Sequence, residues 1–247
     1  TEALQKARHH IHLEYYRFEY DTLGKEIASL LAAKARAGVE VRLIMDHVGS
    51  WHFRRKYIRE LKHAGVQVEL FMPVTFPLLT SKINYRNHRK IVVIDGEVGF
   101  VGGMNIADKY IHGTKKMGPW RDVHLKMEGD AVQSLQTVFL TDWFFLTQKL
   151  PDGEAYFPPS RQKGNPITQI VASGPDSLWA GIMQTYFSII ATAREKIYIT
   201  TPYLLPNTAI LTALKTAALA GLLTLPEISP RCWKSPMTWK TCAPKHY

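Results

Sequence analysis

The sequence predicts an α/β fold in which helices flank a mixed β-sheet. Over the first 71 residues, apolar runs of strand length alternate with amphipathic segments in the order β-α-β-α-β, which is typical of parallel or mixed sheets. Gly38 and Gly65 follow the two helical segments, and glycine commonly lies just beyond a helix end. Residues 91–94 are a continuous β-branched run, and 98–101 follow it across an Asp-Gly turn. This pair predicts a hairpin whose first strand is buried on both faces.

Each predicted element follows from its local pattern. Alternating, aromatic-rich residues predict the first strand, and apolar residues recurring every three to four positions predict a helix capped by Asp21 or Thr22. In chain order we expect strands at 10–18, 39–45 and 66–71, helices from 22 to Gly38 and at 52–64, the hairpin, a strand ending at Met127, and a buried helix at 129–146. The connection at 73–87 lacks periodicity, and long connections of this kind are often functional.

The sequence divides into four regions. Residues 1–149 form a first α/β domain, and residues 150–166, which include four prolines, form a linker. A second domain begins at 167 and extends to 221. The tail at 222–247 has no helical or strand period, and we expect it to be aberrant or disordered.

The second domain repeats the order of the first. We expect a strand at 167–173, a helix at 176–194 capped by Asp176 or Ser177, and a helix at 207–220 that ends in Ala-Gly like the first-domain helix. Internal repeats of this kind indicate a duplicated unit. The chain therefore contains one full repeat and the start of a second.

The composition is that of a globular protein with excess positive charge. Hydrophobic residues make up 46% and charged residues 21% of the chain, which excludes a largely disordered protein. The 31 lysines and arginines exceed the 21 aspartates and glutamates, giving a formal charge of +10. This excess favours phospholipid headgroups, a membrane surface or nucleic acid without choosing among them. The two cysteines make no metal cluster or disulfide framework, and no run of about 20 apolar residues predicts a membrane span.

One stretch combines residues that suit phosphate chemistry. It contains, in order, His88, Lys90, Asp95, Gly103 and Asn105. Because side chains alternate along a strand, His88 and Lys90 share one face at the open end of the buried strand. A histidine supplies a nucleophilic nitrogen, and a lysine neutralises phosphoryl oxygens as charge builds. The glycine lets the backbone approach a ligand, and the asparagine amide can donate to an oxyanion.

The spacing His-x-Lys-x4-Asp-x6-Gly-Gly-x-Asn resembles the signature of the phospholipase D superfamily. Further stretches resemble bacterial cardiolipin synthases, namely IHLEYYRF, AGVEVRLIMDHVGSW, PWRDVHLKMEG and KIYITTPYLLP. The resemblance covers residues 3–221. It implies two copies of one phospholipase D-like α/β unit that bring two His-Lys-Asp motifs to a shared active site, of which this sequence holds the first half and the start of the second.

The resemblance also implies an activity and its partners. Such enzymes join two phosphatidylglycerol molecules into cardiolipin and release glycerol, without a metal or nucleotide cofactor, at the bacterial cell membrane. His88 would be the nucleophile that forms a phosphohistidine, and Lys90 and Asn105 would hold the phosphate beside Gly103. Asp95, the third residue of the catalytic motif, is expected to orient the local backbone or a partner side chain rather than to contact phosphorus. The membrane helices usual at the N-terminus of that family do not occur in this sequence.

Asp122, in the sequence Trp-Arg-Asp, is a candidate to hold the His88 imidazole in the required tautomer. A surface ion pair with Arg121 or Lys126 is an equally good interpretation. His124, two residues further on, is expected in the core or beside the site.

Three functional hypotheses remain open from the sequence. The first is the cardiolipin-synthase type of phosphatidyl transfer. The second is a phosphodiesterase that cleaves nucleic acid, in which a single-motif chain completes its site as a homodimer. The third is an inactive remnant, because no second motif occurs in the sequence and the missing proton-transfer histidine costs on the order of 10²–10⁴-fold in rate.

The remaining candidates are weaker. Clustered His9, His10 and His12 favour packing or surface roles over metal ligation, and loop histidines 47 and 52 favour solvent. The run at 54–56 is basic and predicts a solvated helix face that could also touch anionic lipid. The aromatic residues Tyr15, Tyr16 and Phe18 favour the core.

Overall fold

The structure is a computed structural model that describes residues 1–73, 86–115, 118–120, 122–159, 167–174, 179–199, 201 and 204–222. The chain forms two compact units, Thr1–Ile170 and Val171–Tyr247. The boundary between them lies just after the linker expected at 150–166. Most of the described residues of this linker belong to no helix or strand.

The first unit is built on a six-stranded mixed sheet, which confirms the predicted fold class. Its strands are β1 (His10–Tyr15), β2 (Glu40–Asp46), β3 (Gln67–Phe71), β4 (Lys90–Ile94), β5 (Val98–Gly102) and β6 (His124–Glu128), in the order β3-β2-β1-β4-β5-β6. β1, β2 and β3 run parallel, as expected for strands joined by helices. β4 and β5 form the predicted hairpin, and β4 pairs with β1 in the antiparallel sense.

The helices of this unit are α1 (Glu2–Lys6), α2 (Thr22–Arg36), α3 (Arg55–His63), α4 (Lys109–His112) and α5 (Ala131–Thr147). The side chain of Asp21 accepts a hydrogen bond from the backbone N–H of Gly24, so Asp21 is the cap of α2. Gly38 and Gly65 adopt φ angles of 90° and 98° after α2 and α3. α3 begins at Arg55 rather than at the predicted residue 52, because residues 50–53 form turns.

β1 separates the two layers of the core. Ile11, Leu13 and Tyr15 pack with the buried residues of α2 and α3, whereas His10, His12 and Glu14 alternate to the other face and are fully buried there. The β-branched run at 91–94 is buried on both faces, as predicted. The sheet therefore lies between α2 and α3 on one side and α5 on the other.

The buried helix expected at 129–146 is α5, and it is buried on one face only. α5 buries Phe139 and Trp143, but Phe144 and Phe145 are 44% and 52% exposed. The sheet covers one face of this helix only, so the aromatic residues on its other face remain at the surface.

Part of the expected linker packs on the first unit. A short 3₁₀ helix, Glu154–Tyr156, buries Tyr156, whose ring centroid lies 4.9 Å from that of His10. The turn after β4 meets the same segment, because an added Cβ at Gly96 would contact Pro158. Residues 154–158 are therefore a packed part of this unit.

The described part of the second unit contains α6 (Gly181–Thr192) and α7 (Thr208–Leu219). Ile190 of α6 packs against Ala213, Leu214 and Ala217 of α7. The side chain of Asn207 accepts from the N–H of Ile210 and caps α7.

Two expectations for the second repeat have different outcomes. The predicted strand at 167–173 is wrong, because residues 167–174 belong to no strand and pair with none of the described strands; an apolar alternation needs a partner strand to become one. The proposed caps Asp176 and Ser177 and the tail from 223 lie outside the described residues. In the ranges that the structure describes, every helix is too short or too polar to cross a bilayer.

The central position of β1 predicts a difference between two leucine substitutions. Leu13 is 1% exposed in the core, whereas Leu125 on the edge strand β6 is 52% exposed. Leu13→Ala should lower the free energy of unfolding by about 2–5 kcal/mol, and Leu125→Ala by less than about 1 kcal/mol. Urea denaturation followed by circular dichroism measures both. Equal losses would contradict the placement of β1 at the centre of the core.

Candidate active site

The predicted site residues other than Asp95 gather at one edge of the sheet. The carboxyl ends of β1 and β2 meet there with the segment that leads into β4 and with the end of β5. Tyr15 pairs with Lys90 across β1 and β4, so the residues just beyond that pair, Tyr16 and Arg89, also meet. The backbone N–H of Tyr16 donates to the carbonyl oxygen of Arg89 at 3.2 Å. Ligand sites of open α/β sheets commonly lie outside the carboxyl ends of the strands.

His88 is exposed and lies flat against Tyr16. The two ring centroids are 3.9 Å apart with an interplanar angle of 15°. Partial burial lowers the pKa of His88, the nearby Lys90 lowers it further, and Asp46 opposes both. The imidazole is therefore neutral at pH 7, with a nitrogen lone pair available for attack. Among the described residues, none makes a hydrogen bond to the ring.

Lys90 occupies the same side of the strand, as alternation predicts. Its ammonium nitrogen lies 5.4 Å from the centre of the Tyr16 ring and donates to the carbonyl oxygen of His88. Burial lowers the pKa of Lys90 to about 8, while the carboxylate of Asp122 acts to raise it. The lysine thus remains charged at pH 7 and can neutralise a phosphoryl oxygen near His88.

Two residues of the site were not predicted to belong to it. Tyr16 was expected in the core, yet it is partly exposed and supports His88. Asp46, at the end of β2, is 1% exposed and accepts from the backbone N–H of Asn87, directly before His88, at 3.1 Å. The available signal was an acidic residue directly after the apolar run Leu43-Ile44-Met45.

Asp122 lies beside Lys90 and His124. Its carboxylate accepts from the indole N–H of Trp120 at 3.2 Å and from the N–H of Val123 at 2.8 Å. It acts to raise the pKa values of both Lys90 and His124. The charged groups that act on His88 are instead Lys90 and Asp46. Lys126, the alternative ion-pair partner of Asp122, pairs with Glu128 at 2.7 Å, and Arg121 lies outside the described residues.

The glycine pair brings these groups together. Gly102 pairs with His124 across β5 and β6, and an added Cβ there would collide with the Nδ1 atom of His124. An added Cβ at Gly103 would collide with the carboxylate of Asp122. Ile91 pairs with Val101, so Lys90, one residue before Ile91, lies opposite Gly102. The missing side chains of the two glycines leave the space in which Lys90, Asp122 and His124 meet. His124 is partly buried, and burial lowers its pKa.

Asn105 is 9% exposed and anchors the loop after β5. Its side-chain oxygen accepts from the N–H of Arg17 at 3.0 Å, and its side-chain nitrogen donates to the hydroxyl of Tyr110 at 2.7 Å. One N–H of the amide is therefore engaged inside the protein.

Asp95 lies at the opposite edge of the sheet, five positions beyond Lys90 and so about 17 Å away. Its carboxylate accepts from the backbone N–H groups of Arg8, His9 and His10 at 2.8, 2.8 and 2.9 Å. It therefore orients the backbone at the start of β1, as expected, and does not lie beside His88.

The histidines on β1 have a packing role in the core. His10 and His12 are fully buried, and burial lowers the pKa of His10 to about 4. Gln136 of α5 donates through its side-chain nitrogen to Nε2 of His10 at 3.1 Å and accepts through its side-chain oxygen from Nδ1 of His12 at 2.9 Å. In the described part of the chain, no group of three or more His, Cys, Asp or Glu side chains has the arrangement of a metal site.

The three N–H donors at Asp95 predict a loss of stability on its removal. Asp95→Ala leaves three N–H groups without their acceptor and should lower the free energy of unfolding by about 1–3 kcal/mol. Asp95→Asn, which keeps one acceptor oxygen, should lose less, and the exposed Glu97→Ala less than about 0.5 kcal/mol. Chemical denaturation measures all three, and an Asp95→Ala variant as stable as Glu97→Ala would contradict the assignment.

The lowered pKa of Lys90 predicts a pH-dependent stability. Because burial disfavours the ammonium, the folded state bears a cost below pH about 8 that disappears as the pH rises toward the ordinary value of 10.5. Lys90→Met removes this cost, so its melting temperature relative to wild type should be highest at pH 7 and fall by pH 9. Lys126→Met, on the edge strand, provides the control in differential scanning fluorimetry. A Lys90→Met difference that is constant with pH would refute the shift.

Comparison with known proteins identifies the family. A family model described as "Cardiolipin synthase, PLD-like domain" matches residues 1–143. Cardiolipin synthase 2 of Bacillus cereus is 51% identical over 227 residues, covering 89% of this chain and 43% of that protein. The cardiolipin synthase of Alkalihalophilus pseudofirmus is 48% identical over 223 residues, covering 90% and 44%. The chain thus spans less than half the length of these curated relatives.

Solved structures share the fold at low sequence identity. Phosphatidylserine synthase from Haemophilus influenzae matches 89% of this chain and 56% of its own with a TM-score of 0.60 and 14% identity. Polyphosphate kinase from Porphyromonas gingivalis matches 90% and 31% with a TM-score of 0.54 and 16% identity. The motif, the mixed sheet and the level of identity agree, and the chain belongs to the phospholipase D-like cardiolipin synthase family.

Proposed function

We propose that this chain supplies the nucleophilic half of a cardiolipin-synthase type phosphatidyltransferase. The observation that carries the proposal is the exposed, neutral imidazole of His88 beside the charged Lys90, with Tyr16 under both groups. The family relationship supports the same chemistry. The substrate class is anionic glycerophospholipid, with phosphatidylglycerol as both phosphatidyl donor and acceptor.

The reaction proceeds in two displacements at phosphorus. A ring nitrogen of His88 attacks the phosphodiester, a nitrogen–phosphorus bond forms, and the bond to the terminal glycerol oxygen breaks. The departing oxygen takes a proton, and glycerol leaves. The terminal hydroxyl of a second phosphatidylglycerol then loses a proton and attacks the same phosphorus, which releases cardiolipin and restores His88.

The neighbouring residues have distinct roles in these steps. Lys90 neutralises the phosphoryl oxygens, Gly103 lets the backbone approach them, and the second amide N–H of Asn105 donates to one of them. Asp122 keeps Lys90 protonated through its negative charge, and Asp95 positions the start of β1. The proton for the leaving oxygen comes from a second histidine, either in a further segment of the protein or in a second copy of the chain.

The surface beside the site suits an anionic membrane. Gly49 packs against Tyr16, so the loop that follows β2 borders the site. Trp51 in this loop is 61% exposed, and the side chains of Arg54, Arg55 and Lys56 that follow it are exposed. Tryptophan and basic residues together favour the interface of an anionic bilayer. We therefore place the working protein at the bacterial cell membrane.

Lipid and DNA assays on one preparation test the proposed activity. Phosphatidylglycerol vesicles should yield cardiolipin and glycerol by thin-layer chromatography, and His88→Ala should lower the rate by about 10³-fold or more. His63→Ala, an exposed histidine on α3, serves as the control and should leave it unchanged. Plasmid nicking that His88→Ala abolishes would favour the nuclease instead, and silence in both assays would favour the inactive remnant.

The loop after β2 and the first residue of α3 lead to a separate prediction. Trp51→Ala combined with Arg54→Glu and Arg55→Glu should weaken sedimentation with phosphatidylglycerol vesicles by about tenfold or more, because each basic residue near an anionic surface contributes about 1 kcal/mol. Lys25→Glu combined with Arg36→Glu, on the exposed side of α2, is the charge-matched control. Equal loss in the two variants would show that net charge alone governs binding.

A further inference from the structure

The segment that carries His88 is anchored by buried carboxyl groups on the far face of β1. Glu14 points toward α5 and is fully buried. Its Oε1 atom accepts from the side-chain amide of Asn87, the residue before His88. Its Oε2 atom is buried, and a side-chain hydrogen bond links Glu14 to Asp142. A buried carboxyl group on a central strand needs a reason, because apolar residues pack at such positions without its desolvation cost.

A second carboxyl group holds the residue on the other side of His88. Asp142 of α5 is 8% exposed, and its Oδ2 atom accepts from the guanidinium of Arg89 at 2.5 Å. The carbonyl oxygen of Arg89 accepts from the N–H of Tyr16, which is the residue whose ring supports His88. The two neighbours of His88 are thus tied to two carboxyl groups that lie together beneath the sheet.

Asn87 connects these anchors. Its backbone N–H donates to Asp46, its side-chain oxygen accepts from the N–H of Arg89 at 2.9 Å, and its side-chain nitrogen donates to Glu14. The bond to Arg89 fixes which end of the amide faces Glu14, since it engages the oxygen. Loss of the Glu14 contact would therefore release the Asn87 side chain and uncover the N–H of Arg89.

The protonation state of Glu14 follows from its surroundings. Burial raises the pKa of Glu14 well above its ordinary value, and the charge of Asp142 raises it further, against smaller opposing effects of Arg89 and Asn87. The residues opposite it on β2 and β4 are Ile44 and Ile91, which are apolar. A carboxyl group in such surroundings favours its neutral, protonated form.

We propose that Glu14 and Asp142 form a clamp that fixes Asn87 and Arg89 and thereby positions the His88 imidazole for attack. Glu14 and Asp142 are positioning residues, since they touch the segment and not the substrate. The catalytic part of this inference rests on the proposed function, whereas the clamp itself does not.

Amide hydrogen exchange of Arg89, followed by NMR, tests the clamp without any activity. Glu14→Met keeps the length of the side chain in an apolar form that packs in the core, but it cannot bind Asn87. It should speed exchange at Arg89 by about tenfold, which is the effect of one lost hydrogen bond. Glu14→Gln mimics the protonated acid, keeps the acceptor oxygen, and should exchange at the wild-type rate. Gln136→Met is the control, because Gln136 joins α5 to β1 through His10 and His12 and not through the His88 segment.

The kinetic arm uses the same variants with phosphatidylglycerol vesicles. Glu14→Met should lower kcat by about tenfold with KM unchanged, and Glu14→Gln should restore it. Unchanged Arg89 exchange in Glu14→Met would overturn the clamp, as would a Glu14→Gln variant that exchanges as fast as Glu14→Met. If wild type converts no lipid, the proposed function fails, and the exchange measurements still decide the clamp.

Discussion

The antiparallel pairing of β1 with β4 is the constraint on which the site depends. The pairing of Tyr15 with Lys90 fixes what lies just beyond both strands, and the Tyr16 ring there meets the His88 ring. An exposed imidazole outside a strand has few backbone hydrogen bonds to hold it. The Tyr16 ring contacts the imidazole, and the carboxyl groups of Asp46 and Glu14 bind Asn87, the residue before it. The reactive ring is therefore exposed while its backbone is held in place.

The same partial burial prepares two groups for opposite tasks. It lowers the pKa of His88, which leaves a neutral ring with a free lone pair, and it lowers the pKa of Lys90 only to about 8, which leaves a charged ammonium at pH 7. A different carboxylate opposes each shift: Asp46 acts on His88 and Asp122 acts on Lys90. A neutral nucleophile, His88, and a charged group that stabilises phosphoryl oxygens, Lys90, can therefore lie in one small site because a different carboxylate acts on the pKa of each.

The sequence was sufficient where structure depends on local pattern. The cap at Asp21, the hairpin after residue 91 and the shared face of His88 and Lys90 need only propensity, turn chemistry and alternation. Tyr16 and Asp46 were missed because their meeting with His88 depends on which strands are neighbours, and alternation within one strand carries no such information. The strand predicted at 167–173 was wrong for the same reason, since alternation does not supply a pairing partner.

Asp122 illustrates an intermediate case. Its spacing from the motif indicated a place near the site, and the structure brings it to Lys90 and His124 across the side chains missing at the glycine pair. That meeting requires the strand order β4-β5-β6, of which the sequence predicted only the pairing of β4 with β5 in the hairpin. Glu14, by contrast, had a signal that was not used: an acidic residue within a strand whose other positions predict burial.

The central claim is that the nitrogen of His88 bonds covalently to phosphorus. Brief incubation with phosphatidylglycerol, an alkaline quench and peptide mass spectrometry test it most directly, because a nitrogen–phosphorus bond survives alkali better than acid. The account predicts a phosphatidyl mass increment on the peptide that contains His88 and its absence from the His88→Ala variant. An increment on another histidine, such as His124, or turnover to cardiolipin by the His88→Ala variant, would contradict it.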